Sequence, residues 1–231
     1  MIKMLQGLVV RTLIGVACAI ALGASAGRAV AATVDSVGDS FTVLFAGNIA
    51  GSDVAGLSAS ALVSVESIAN RTLVLNVTLT NTSTVLWESA RVSAFGFDTN
   101  PNVVSAQLDS DVYRNVNLNG HFPNGFGSLD LCVINNRNNC SGGGRGGLTR
   151  GESEVMTLTL HFRNPVTSVE LDNFGVRYQS LTSSALGFNG ASGTGTGNPS
   201  SPIPEPRSTA MYLLGGLAVA GLVRKQALTS R

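Results

Sequence analysis

Lysine is missing from the long middle of this sequence. Between Ala32 and Ile203 the only cations are 8 arginines, set against 13 acids, so this stretch carries −5 while the whole chain carries +1. That balance excludes an ordinary nucleic-acid binder, which must neutralise phosphates with a positive face. It equally excludes an electrostatic membrane-binding surface. Histidine is nearly absent too, with His121 and His161 the only two. His161 alternates onto the Thr157/Thr159 side of its segment and His121 lies beside Asn119 and Gly120, so no Ser-His-Asp arrangement follows from spacing. The glycine run Gly142–Gly147 lacks a following Lys-Ser/Thr and is not a phosphate loop. No catalytic or cofactor motif is found, and no cofactor is expected.

What is present is concentrated at the two ends. Lys3 and Arg11 precede an uncharged run from Thr12 to Gly27, and Ala29-Val30-Ala31 is a small-residue site of the kind signal peptidase accepts. Residues 1–31 are expected to be a secretory signal, cut after Ala31, with Ala26 or Ala32 as neighbouring choices. At the other end, Pro204-Glu205-Pro206 precedes an uncharged run from Ser208 to Val223, then Arg224 and Lys225. As a helix that run is about 24 Å long, shorter than the roughly 30 Å of a hydrocarbon core. It suits temporary retention, with Arg224 and Lys225 as the basic stop on the cytoplasmic side.

This terminal layout resembles the bacterial PEP-CTERM sorting signal. The resemblance is carried by Pro204-Glu205-Pro206, the Ser208-Thr209 pair, the Leu/Gly/Ala-rich segment and the basic end. It implies a Gram-negative source and processing by an exosortase, with signal peptidase as the other export partner. It also implies transient membrane insertion and delivery to the cell surface or an exopolysaccharide matrix. Arg207 stands where that signal often has a serine. The body also resembles the cistern family of PEP-CTERM proteins. The segments concerned are Leu79–Ser83, Phe95–Asp98, Leu129–Val133 with Cys140 and its glycines, and Val176–Ser180. That resemblance implies the same export class and no activity.

Between the ends, alternation dominates. Leu73, Leu75, Val77 and Leu79 share one face of Thr72–Thr80, while Asn76, Thr78 and Thr80 take the other. Met156, Leu158, Leu160 and Phe162 alternate likewise. Further strands are expected at 41–45, 59–68, 90–97, 103–108, 129–134 and 166–178. The pattern predicts an all-β antiparallel sandwich, Ig-like or jelly-roll-like, over 32–186. A Gly/Ser/Thr/Pro-rich linker is expected over 187–203. Helices are expected only at the two ends.

Once Cys18 leaves with the signal, Cys132 and Cys140 remain, and an exported pair most simply forms one disulfide. So small a ring contributes about 2.5 kcal/mol at best. Asp98, with Asn100 and Asn102, and the pair Asp109 and Asp111 are the oxygen-rich clusters that a Ca²⁺ site would need; solvated turns are the plainer reading. Glu152 and Glu154 could form a glycosidase pair only at a separation that sequence does not set. Trp87, Tyr113 and Tyr178 are the rings that a carbohydrate-binding module would stack on sugars. The reading that fits all of this is a non-enzymatic, exported structural or adhesive matrix component, with a carbohydrate-binding module as the alternative and a glycan hydrolase behind it.

Overall fold

A computed structural model describes residues 31–135, 140–141 and 145–200. Ala29, the motif Pro204–Pro206, the apolar run 208–223 and the Arg224–Lys225 stop lie outside these residues. Among the described residues no helix is long and apolar enough to cross a membrane.

The strands are β1 (Ala32–Val34), β2 (Ser40–Ile49), β3 (Ser52–Ala69), β4 (Thr72–Thr80), β5 (Ser89–Asn100) and β6 (Val103–Asp109). They continue with β7 (Asn115–Phe122), β8 (Gly127–Ile134), β9 (Leu148–Thr149), β10 (Ser153–Phe162), β11 (Val169–Ser183) and β12 (Phe188–Pro199). All pairings are antiparallel, in the order β6-β10-β4-β3-β2-β12-β11-β5-β8-β7, with β1 added to β11 and β9 to β5. The all-β antiparallel expectation therefore holds, but the two-sheet sandwich is corrected: one continuous sheet curls nearly shut into a barrel. Period-two alternation tells which side of each strand is dry. It does not tell whether a sheet splits in two or rolls up, because both solutions bury one face.

The expected alternation is realised in β4, where Leu73, Leu75, Val77 and Leu79 are fully buried, and in β10, where Met156, Leu158, Leu160 and Phe162 line the same interior. β3 and β4 turn at Asn70, whose φ of 53° is in the left-handed region that Asn tolerates. At the centre, Phe174 meets Phe41, Phe95 and Phe97 with ring centroids 5.7, 6.4 and 5.4 Å apart. Such offset and edge-on pairs add to simple burial.

The linker expected over 187–203 is also corrected. Residues 188–199 form β12, hydrogen-bonded to β2 on one side and β11 on the other. Its glycines are the reason. Gly193, Gly195 and Gly197 point inward, and a Cβ on Gly195 would meet Val176 and Tyr178, while one on Gly197 would meet Val43 and Phe45. Side chains of the flanking strands fill the space over Gly195 and Gly197, while Phe188 and Ala191 at the start of β12 pack on the core themselves. A segment that reads as flexible from composition is thus held in mid-sheet, and the domain extends past 186 to Pro199.

A second apolar cluster lies apart from the main core. Ala94, Phe122, Leu129, Cys132, Ile134 and Cys140 pack together with Phe126. Cys132 and Cys140 are joined by a disulfide, Cα atoms 6.3 Å apart, and both are fully buried. The pairing matches expectation, and the bond closes its ring against Gly120 of β7.

Candidate functional site

A strip of charged residues runs along β5, β8 and β11: Arg91 and Asp98, Asp130, and Glu170, Asp172 and Arg177. Three of the segments that carry the cistern resemblance lie side by side there: Phe95 is opposite Val133 and Val176, and Gly96 is opposite Cys132 and Gly175. The fourth segment has a different role. Asn81 is fully buried, donates to the carbonyls of Ala90 and Leu148 at 3.0 Å each, and accepts from the Ser83 amide. It ties β4, β5 and β9 together.

One end of this charged strip is acidic. Asp98 Oδ1 accepts from the Asp130 amide at 2.7 Å and its Oδ2 from Asn173 at 2.8 Å. Asp130 accepts from the Thr99 amide and from Asn102, and Glu170 accepts from Asn100. Burial, with Asp130 and Asp172 close by, raises the pKa of Asp98 despite those hydrogen bonds. Burial, followed by repulsion from Glu170 and Asp130, raises that of Asp172. The calcium candidates do not converge: Asp109 sits on β6 opposite Thr157 of β10, and Asp98 belongs to the β5–β11 region. Among the described residues no group of three or more metal-ligating side chains is placed to hold an ion.

The opposite end is basic and polar. Arg91 is half-buried, donating through Nη1 to the Gly146 carbonyl and through Nη2 to Ser180 Oγ at 3.3 Å. Arg177 is only 5% exposed. Its guanidinium donates to the carbonyls of Ser141 and Gly193 and to Ser192 Oγ, all neutral acceptors. Burial lowers the pKa of both arginines. Sequence reading missed this end, although one signal was available. Phe174, Val176 and Tyr178 face inward on even positions, then Leu181 and Ser183 on odd ones. Such a slip of phase marks a bulge.

The other expected site residues have structural positions. Trp87 and Tyr113 are fully buried, Trp87 donating to the Ala55 carbonyl and Tyr113 to that of Val92. Tyr178 is buried as well, its hydroxyl without a hydrogen-bond partner. A sugar-stacking platform on these rings is therefore corrected. Glu154 Oε1 accepts from Ser110 Oγ and from the Asp111 and Val112 amides, pinning the β6–β7 turn. Partial burial opposes its charge, but those bonds together hold its pKa below the usual value. Glu152 accepts from the Thr149 amide. Each carboxylate is engaged in a turn. His161 lies on the outer face, 3.2 Å from Thr72 Oγ1.

No family model matches this chain, and neither the curated proteins nor the solved structures contain a match to it.

Proposed function

We propose that this chain is a non-enzymatic exported protein. It is sorted by an exosortase to the cell surface or extracellular polysaccharide matrix of a Gram-negative bacterium, where it acts as a structural or adhesive component. One observation carries the reading: a secretion-type segment and a Pro-Glu-Pro, apolar, basic segment bracket a single folded body. The limits of that body support it. β1 starts at Ala32, directly after the expected cut at Ala31. Ala32 is itself buried and paired with Leu171, so a cut after Ala32 would remove a packed residue. At the far side, β12 ends at Pro199 and the Ser200 amide still bonds Thr42, close before the motif at 204–206. A disulfide suits an oxidising compartment.

Fractionation of the native cells, with intact-mass measurement of the mature protein, tests this. The expected product begins at Ala32, has lost or had processed the segment from Pro204, carries no free thiol and is recovered outside the cytoplasm. A variant lacking 204–231 should change its location or size. Full-length protein in the cytosol with both thiols free overturns the proposal.

A further inference from the structure

The outer wall carries a built recess where three strands lose their register together. β11 slips against β12 between Tyr178 and Leu181, and against β5 between Gln179 and Thr182. Ser180 sits at this break with φ at 54°, a left-handed conformation that costs a non-glycine residue roughly 1–3 kcal/mol and persists only where its surroundings hold it. The break opens a cleft of about 360 Å³ lined by Ser89 and Arg91 of β5, Gln179, Ser180 and Thr182 of β11, and Ser192 of β12. Bulges of this kind re-aim side chains and recur beside binding sites.

The chemistry of the cleft is specific. Its lining residues include a guanidinium and four hydroxyls but no carboxylate. Directly behind it lies the second guanidinium, that of Arg177, joined to the cleft through Ser192 Oγ at 2.9 Å. Held by neutral acceptors and shielded from water, that buried charge leaves a positive potential that solvent screens weakly. Gln179 Oε1 is buried in the same wall with no hydrogen-bond partner, so the wall holds an acceptor awaiting a donor. A ligand that fits must bring an oxyanion for the guanidinium side and hydroxyls for Gln179 and the serines.

We infer that this cleft binds an acidic sugar residue, a uronate or a sulfated hexose, through its anionic group and the neighbouring hydroxyls. The recognition uses charge and hydrogen bonds and needs no aromatic stacking. It rests on the matrix reading above only for where such a glycan is met. Tested on purified protein, its failure leaves the export measurements standing.

The test is calorimetric and NMR titration of the purified, disulfide-bonded protein with four probes. These are a galacturonate oligomer, a sulfated glucan oligomer, an uncharged glucan oligomer of equal length, and inorganic sulfate. At least one acidic oligomer should bind about tenfold or more tightly than the uncharged one, a difference of about 1.4 kcal/mol, with shifts at Ser89, Arg91 and Ser192. Which of the two binds identifies the anion as carboxylate or sulfate. Arg91→Gln should lose that preference. Ser89→Glu, at an exposed position that leaves the arginine bonds in place, should lose it as well and decides the matter if the first variant misfolds. Thr78→Ala on the opposite wall should bind as the parent does. Equal affinity for the uncharged oligomer overturns the inference. So does inorganic sulfate binding as tightly as the oligomers, or a self-association abolished by Ser89→Glu, which would make the occupant another copy of this chain.

Discussion

The two halves of the barrel wall are built by different rules. Along β4 and β10, and over most of β2 and β3, the sequence alternates: aliphatic and aromatic residues face in, and mainly Ser, Thr and Asn face out. Leu44, Leu62 and Val155 are exposed exceptions, and bulges fall at Ala46/Asn48 and Val65/Ser67. The outward residues there bond to one another across strands, as Thr157 does to Asn76 and Thr80 to Ser153. Along β12, β11, β5 and β8 the rule fails repeatedly. β12 faces inward with glycines, Arg177 on the outer side is buried, and a second apolar cluster with the disulfide packs beyond the main core. The regular half can be swapped piece by piece, because each residue answers to its own face. In the irregular half each residue is fixed by a particular neighbour. The acidic cluster at Asp98 and the cleft at Arg91 both lie in that half.

The largest expected effect sharpens this contrast at the interior. In the regular half, removing volume should hurt: Leu75→Ala is expected to cost about 2–5 kcal/mol. In the irregular half, adding volume should hurt as much. Gly197→Val places side-chain atoms where Val43 and Phe45 already are, and the expected loss is about 3 kcal/mol or more. Thr196→Val, one residue away on the exposed side, should change stability by less than about 0.5 kcal/mol. Urea unfolding of the three variants is the measurement. A harmless Gly197→Val would return 188–199 to the status of a linker and erase the contrast.

Legibility in the sequence follows the same division. Thr72–Thr80 and Glu154–Arg163 can be read strand by strand, face by face, because burial there depends mainly on period. Residues 187–203 could not, because glycine in mid-sheet and glycine in a linker have the same composition. What separates them is the bulk on the flanking strands, β11 just before and β2 far away in sequence. Trp87 and Tyr113 are core residues, so the sugar platform expected on them is not borne out. Asp98, Asp109 and Asp111 are near in sequence but distributed over β5, β6 and the turn that follows. The cleft at Arg91 is contributed by three strands whose segments begin at Ser89, Gln179 and Gly190, and no local motif announces such a site.

A middle-sized effect tests the outer faces. Arg177→Met keeps the apolar stem and removes the donors to Gly193, Ser141 and Ser192. Losing these hydrogen bonds from a buried guanidinium should cost about 2–3 kcal/mol. Thr78→Ala, outward on the regular half and facing Leu62 and Val155 on the neighbouring strands, should shift stability by no more than about 0.5 kcal/mol. If the two variants melt together, the outer faces are equivalent and the division between halves is confined to the interior.

The smallest effect is a difference in sign. Glu154 of the regular half has a pKa held below its ordinary value of 4.5. In the window between its folded and unfolded values the unfolded chain binds more protons, so its contribution is present above 4.5 and is lost as pH falls. Asp172 of the irregular half has a pKa raised above 3.8 by burial, then by Glu170 and Asp130. Here the folded chain binds more protons, so its contribution is present below 3.8 and is lost as pH rises through the raised value. Both groups are largely open to solvent, and each contribution should stay below about 1 kcal/mol. Urea midpoints measured from pH 3 to 7, that is, across about the ordinary carboxylate range, separate them. Glu154→Gln should flatten the acid-side fall in stability. Asp172→Asn should make the parent's curve rise more steeply with pH, because it removes the opposing slope. Two variants that shift the profile in the same direction would show that the acidic end of β11 is stabilised by its ionised carboxylates, and the electrostatic part of the comparison would then be wrong.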